Sequence, residues 1–159
     1  MTINQKVLDL LDNWQPFSGD TRMLEITEDG RRITGELVAL DSLACAFTHV
    51  SVEIDALAGA TIERLKRVGE KLSAKLTYLL EAIHPIEVDA EQCVVQMRSV
   101  PPERDENGTS YYELLVRRDG HLNLSRYAKQ PGDQRHTIPA HVTREVMARL
   151  MGDFGSLEV

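Results

Sequence analysis

Ile3, Val7, Leu10, Leu11 and Trp14 recur at intervals of four, three, one and three, which lines one face of a short helix over residues 3 to 14. Pro16, with no N–H to offer, closes it. The period then changes. Residues 22 to 28 and 31 to 40 read as two strands about Asp29-Gly30, the composition of a tight hairpin turn. A third run, 43 to 54, sets Ala44, Ala46, Thr48, Val50, Val52 and Ile54 on one side and Cys45, Phe47, His49, Ser51 and Glu53 on the other.

Helical spacing returns with Ile62, Leu65, Gly69, Leu72, Leu76, Leu79 and Ile83, alternately three and four apart, and predicts a long central helix over 60 to 83. Thr61 or Asp55 is placed to cap it, and His84-Pro85 ends it. Gly69 in the seam implies the close approach of another backbone. The flanking positions lack the charge complementarity of a coiled coil, so the seam is expected to rest on a sheet. Val68, Leu80 and Ala82 lie beside the seam and widen the apolar arc. So broad an arc suggests a second covered surface, supplied by a terminal helix or by another chain.

A strand between 86 and 100, broken near Asp89-Ala90, comes next, and 101 to 110 is polar and aperiodic, the composition of an exposed loop. A second hairpin joins 111–117 to 121–127 about Asp119-Gly120, and a loop over 128–137 leads to a last helix over 139–152. Residues 153 to 159 read as a frayed tail. Side-chain pairing separates the two turns: a two-residue loop sets Ile26 against Ile33 at the first, whereas a three-residue loop with left-handed Gly120 sets Val116 against Leu122 at the second. The expected class is α+β: an antiparallel sheet of two Asp-Gly hairpins and further strands against a long central helix, with N- and C-terminal helices, in one domain over 1–159. This order of elements resembles that of the dimeric chaperones of type III secretion, small acidic α+β proteins, with one strand more. The likeness is of topology and charge, and it carries no functional residue over.

Composition sharpens this in few places. At 159 residues and 42% apolar, the chain can bury a sufficient core without metal or disulfide. Eighteen basic against 25 acidic residues give a net charge of -7, which disfavours nucleic acid and anionic membrane as general partners. No apolar run is long enough to span a bilayer, and the opening Met1–Lys6 has no signal-peptide pattern behind it, so a cytoplasmic chain is expected. Cys45 and Cys93 fall in strand-like runs and read as buried free thiols.

Candidate chemistry is sparse. No glycine-rich phosphate loop occurs, which excludes P-loop hydrolysis, and no cofactor is implied. His136 and His141 are five apart with Pro139 between them, a poor spacing for a metal pair. Asp119 could orient His121 for general base work, but Asp-Gly is first of all a turn. The most coherent charged feature is a stripe of Arg64, Arg67, Lys71 and Lys75 on the central helix, suited to an anion or an acidic partner. Three functional expectations result: a non-enzymatic protein-binding or chaperone-like homodimer first; an enzyme with a polar site assembled from His49, His121 or His136 second; an anion or nucleic-acid binder through the basic stripe third.

Overall fold

The computed structural model describes every residue from Met1 to Val159. Thr2 opens helix α1 (Ile3–Asp12) with a reciprocal cap: its hydroxyl accepts from the Gln5 N–H, and the Gln5 side chain accepts from the Thr2 N–H. Strands β1 (Phe17–Glu28), β2 (Arg31–Leu40) and β3 (Ala44–Ile54) follow as an antiparallel meander. Helix α2 (Ile62–Lys75), capped by the Thr61 hydroxyl, separates them from β4 (Ile83–Asp89), β5 (Val94–Ser99), β6 (Glu103–Asp105), β7 (Gly108–Arg117), β8 (His121–Lys129), β9 (His136–Ile138) and β10 (Ala140–Thr143). Helix α3 (Arg144–Gly155) ends the chain's regular structure. One antiparallel sheet runs β1-β2-β3-β8-β7-β5-β4, with β10 added to β3, β6 to β7 and β9 to β8. The class is α+β, a large antiparallel sheet with three helices.

Two apolar rows cross this sheet in register. Ile26, Ile33, Val52, Leu122, Val116 and Val95 form one; Leu24, Gly35, Val50, Leu124, Leu114 and Met97 form the other. All are buried. The helices cover these rows, and glycine lets them come close at two points. A Cβ on Gly35 would lie 2.6 Å from the Met147 methyl of α3, and one on Gly69 would lie 2.9 Å from the Met97 sulfur. Gly69 thus marks the approach of α2 to side chains of β5 and β7 rather than to another backbone.

At the first turn Glu28 opposes Arg31, and Asp29 and Gly30 have φ of 52° and 71°. At the second, Val116 opposes Leu122 and Gly120 alone has a positive φ, 88°. Gly120 is further constrained, because a Cβ there would strike the Ile54 carbonyl oxygen.

Several expectations need correction. The central helix is shorter than 60–83: α2 ends at Lys75, Leu76–Leu79 form a 3-10 turn, and Leu80 is left-handed with φ 66°. Ile83 already belongs to β4 and is buried there, so its place in the apolar pattern does not distinguish the two conformations. The strict alternation assigned to β3 also fails. Glu36 opposes His49 and Leu37 opposes Phe47, which leaves Thr48 as an extra residue and turns Phe47 into the core. Segment 101–110 is exposed over most of its length, but it is built as β6 paired with the start of β7. The last helix starts at Arg144, not 139, since Val142 pairs with Cys45 in the sheet and the Thr143 hydroxyl accepts the Val146 N–H. Residues 153 to 159 are not frayed: α3 reaches Gly155, and Phe154 and Leu157 are fully buried.

Truncating Leu72 or Leu76 to alanine is expected to destabilise by about 2–5 kcal/mol, measured by urea unfolding. Gly120→Ala should lower the unfolding midpoint more than Gly30→Ala, because only the former meets backbone.

Candidate functional site

The face of the sheet opposite the helices carries the interleaved rows, and they are polar apart from Leu115. Glu36, His49, Ser125, Glu113 and Arg98 stand in one register row; Thr34, Ser51, Asn123, Leu115 and Gln96 in the next; Arg32, Glu53 and His121 in a third. The extra residue in β3 gathers Thr48 and His49 about one carboxylate. Thr48 Oγ1 donates to Glu36 Oε1 at 2.6 Å, and His49 Nε2 lies 3.8 Å from Glu36 Oε2. His49 Nδ1 is buried without a partner.

The hydroxyls beside it are already engaged: Ser51 with Thr34 at 2.6 Å, and Ser125 with the Asn123 amide at 3.0 Å. His121 sits on the third row, where burial first and the Arg117 guanidinium second hold its imidazole below the ordinary value. Asp119 does not bond that ring. Its carboxylate is held by Arg117 at 2.7 Å, which lowers its pKa, and it accepts the His121 backbone N–H at 3.0 Å. Asp119 therefore serves the turn. His136 is exposed on β9 opposite Ala128, at the far end of β8 from His121. His49 and His121 share the open face, where the His49 charge acts on His121, but His136 lies apart from both, and no seryl or threonyl hydroxyl is hydrogen-bonded to an imidazole.

Further along the open face, Glu113 is only 2% exposed. Gln96 donates to it at 2.7 Å and the Arg135 guanidinium closes on it, while Arg135 lies 4.0 Å over the Tyr127 ring. Glu113 in turn raises the Arg135 pKa. The loop before β9 is fastened to the sheet by this pair.

The basic stripe is on α2 as the sequence orders it. Arg67, Lys71 and Lys75 are exposed and Arg64 is half-buried, and none of the four makes an ion pair.

The other notable surface is the β4 edge. The first apolar row continues onto β4 as Val88, opposite Val95, where it is only partly covered. Val88 is 39% exposed, Ile86 47%, Val100 42% and Leu80 90%. Leu80 and Val100 flank the start of β4, the Val100 N–H donating to the Ala82 carbonyl, while Ile86 and Val88 lie further along the strand. At the start of β4 a groove of about 520 Å³ runs between Leu76, Leu80 and Ile83, with Glu81 and His84 at its rim. The outer edge of β4 pairs with no strand. Of the surplus apolar positions, Val68 is buried within the chain, whereas Leu80 and Ala82 face solvent. In the sequence Ile86, Val88 and Val100 fall within the strand expected over 86–100, and alternation alone does not reveal which of its residues are covered.

No group of three or more His, Cys, Asp or Glu side chains is arranged to hold a metal, and no helix is long and apolar enough to cross a membrane. Comparison of the chain with family models, with curated proteins and with solved structures finds no match. The functional reading therefore rests on the chain's own geometry.

Arg135→Ala is expected to destabilise by about 1–3 kcal/mol, and adding Glu113→Gln should recover most of that, as read from denaturant midpoints. Burial pushes the Cys45 thiol up to about 12, so it stays protonated at neutral pH, while Cys93 is partly exposed. A thiol reagent should accordingly label Cys93 in the native chain and Cys45 only after unfolding.

Proposed function

We propose that the chain is a non-enzymatic, chaperone-like protein-binding module that acts as a homodimer. The observation that carries this reading is the apolar surface of Leu80, Ile86, Val88 and Val100 at an unpaired sheet edge. Exposed apolar side chains along one edge are a mark of a protein contact, and an unpaired edge strand is a liability unless something covers it. The enzyme reading is weaker, because the open-face hydroxyls and carboxylates are bonded to one another and no hydroxyl is hydrogen-bonded to an imidazole. Two free cysteines fit a reducing, cytoplasmic setting.

The unpaired cations Arg64, Arg67, Lys71 and Lys75 support a second contact, with an acidic protein segment, more readily than with nucleic acid. The net charge of -7 opposes a polyanion at large, and the one aromatic following the stripe, Tyr78, is half-buried under Arg149.

Light scattering at tens of micromolar should return twice the 17.9 kDa chain mass. A mass of one chain across that range would remove the homodimer.

A further inference from the structure

We infer that the open face carries a receptor for an arginine side chain of a protein partner, built by Glu113, Tyr111 and Tyr127, and that Arg135 occupies it as an internal stand-in. The site is separate from the β4 edge, and its test does not depend on the homodimer.

The receptor is made by the sheet alone. Glu113 on β7 is 2% exposed, and Gln96 on the neighbouring β5 donates to its Oε2 at 2.7 Å, which orients the carboxylate. Tyr111, two residues before Glu113 and on the same face, stacks with Tyr127, its partner on β8, at 6.1 Å between ring centres. Arg135 Nη1 donates to Glu113 Oε2, its Nη2 to Oε1 at 3.4 Å, and Nη1 reaches the Tyr111 hydroxyl at 3.4 Å. The guanidinium carbon lies 4.0 Å from the centre of the Tyr127 ring. A forked contact to one carboxylate with a plane laid on an aromatic ring suits a guanidinium, whereas an ammonium is a point charge without a plane to stack.

The occupant is loosely held. Residues 130 to 135, between β8 and β9, are all exposed, and their one backbone hydrogen bond joins the Asp133 N–H to the Gln130 carbonyl. The Arg135 side chain is itself 38% exposed, and β9 begins only at His136, so the side chain can swing out while β9 stays paired to β8. A second cation borders the receptor without an answer in this chain. Arg98, opposite Glu113 on β5, lies 4.8 Å from the centre of the Tyr111 ring, makes no ion pair, and keeps its Nε buried without a partner. Glu113 is engaged by Gln96 and Arg135, and segment 130–135 sends no carboxylate to Arg98. The partner segment that fits therefore carries an arginine with an acidic residue beside it.

Titration calorimetry tests this with the probe N-acetyl-Gly-Arg-Asp-Gly-amide and with versions that replace its arginine by lysine or its aspartate by serine. Arg135→Ala is expected to bind the probe about tenfold tighter than the wild type, because the internal competitor is gone. The lysine version should bind that variant about tenfold more weakly. Adding Glu113→Gln should abolish binding. The serine version should lose about threefold in Arg135→Ala and nothing further once Arg98→Gln is added. Arg135→Lys, which keeps a cation on Glu113 without the fork, should fall between the wild type and Arg135→Ala, and it carries the test if the alanine variant lacks native circular dichroism. Variants of Arg135 that bind no tighter than the wild type would overturn the stand-in and leave Arg135 a fastening only. Equal affinity for the arginine and lysine probes, or binding that survives Glu113→Gln, would overturn the receptor. A serine penalty that persists in Arg98→Gln would overturn the acidic neighbour.

Discussion

Register is the constraint on which this molecule depends. Because side chains alternate along a strand, a fixed alignment of six strands turns two sets of apolar residues into continuous rows and sends everything between them to the opposite side. A slip of one residue in any inner pair would exchange Val50 and Val52 for His49, Ser51 and Glu53. The three helices gain their stability by lying on the apolar rows, and the polar side organises itself into short hydrogen-bonded pairs instead. The same constraint accounts for the buried Glu113, which its place in a polar row puts on the open face. There it becomes tolerable only because Gln96 and Arg135 reach it.

Much of this was legible in the chain. The alternation of Leu24 to Ile26 against Ile33 to Leu37, and of Leu114 to Val116 against Leu122 to Leu124, is strong enough that side-chain pairing alone discriminates between turn lengths. What was not legible has physical causes. Ile83 is buried whether it ends a helix or begins a strand, so the apolar seam overstates α2. An inserted residue such as Thr48 leaves no compositional trace, yet it reverses the facing of Phe47. Phe154 and Leu157 lie in a segment too short for a period to emerge, and their burial depends on α1 and β2 arriving beside them. Of the candidate surface, Leu80 and Ala82 could be seen as surplus to the seam. The Glu113–Arg135 pair could not, because nothing local links two residues 22 apart across a hairpin and a loop.

The shortened helix and the exposed Val88 row lie at opposite ends of β4. The sheet is seven strands wide along its main path, and α2 lies over β5, β7 and the inner side of β4. Had the helix continued to 83, its last turn would have extended the cover; the 3-10 turn and the left-handed Leu80 instead direct the chain straight back into the sheet. The early turn thereby opens the groove at the start of β4, while the apolar row that ends at Val88 is exposed at the other end of that strand.

Both Asp-Gly turns are fastened to one corner: the Asp55 N–H donates to the Gly30 carbonyl, and the Ile54 N–H donates to the Gly120 carbonyl. That corner lies where β3 meets β8, strands whose paired residues are separated by some seventy positions in the chain. The meander and the second hairpin can each form from local contacts, but joining them requires closing a long loop before any of its reward is collected. Of the pairings along the main path of the sheet, that of β3 with β8 therefore carries the largest loop-closure cost.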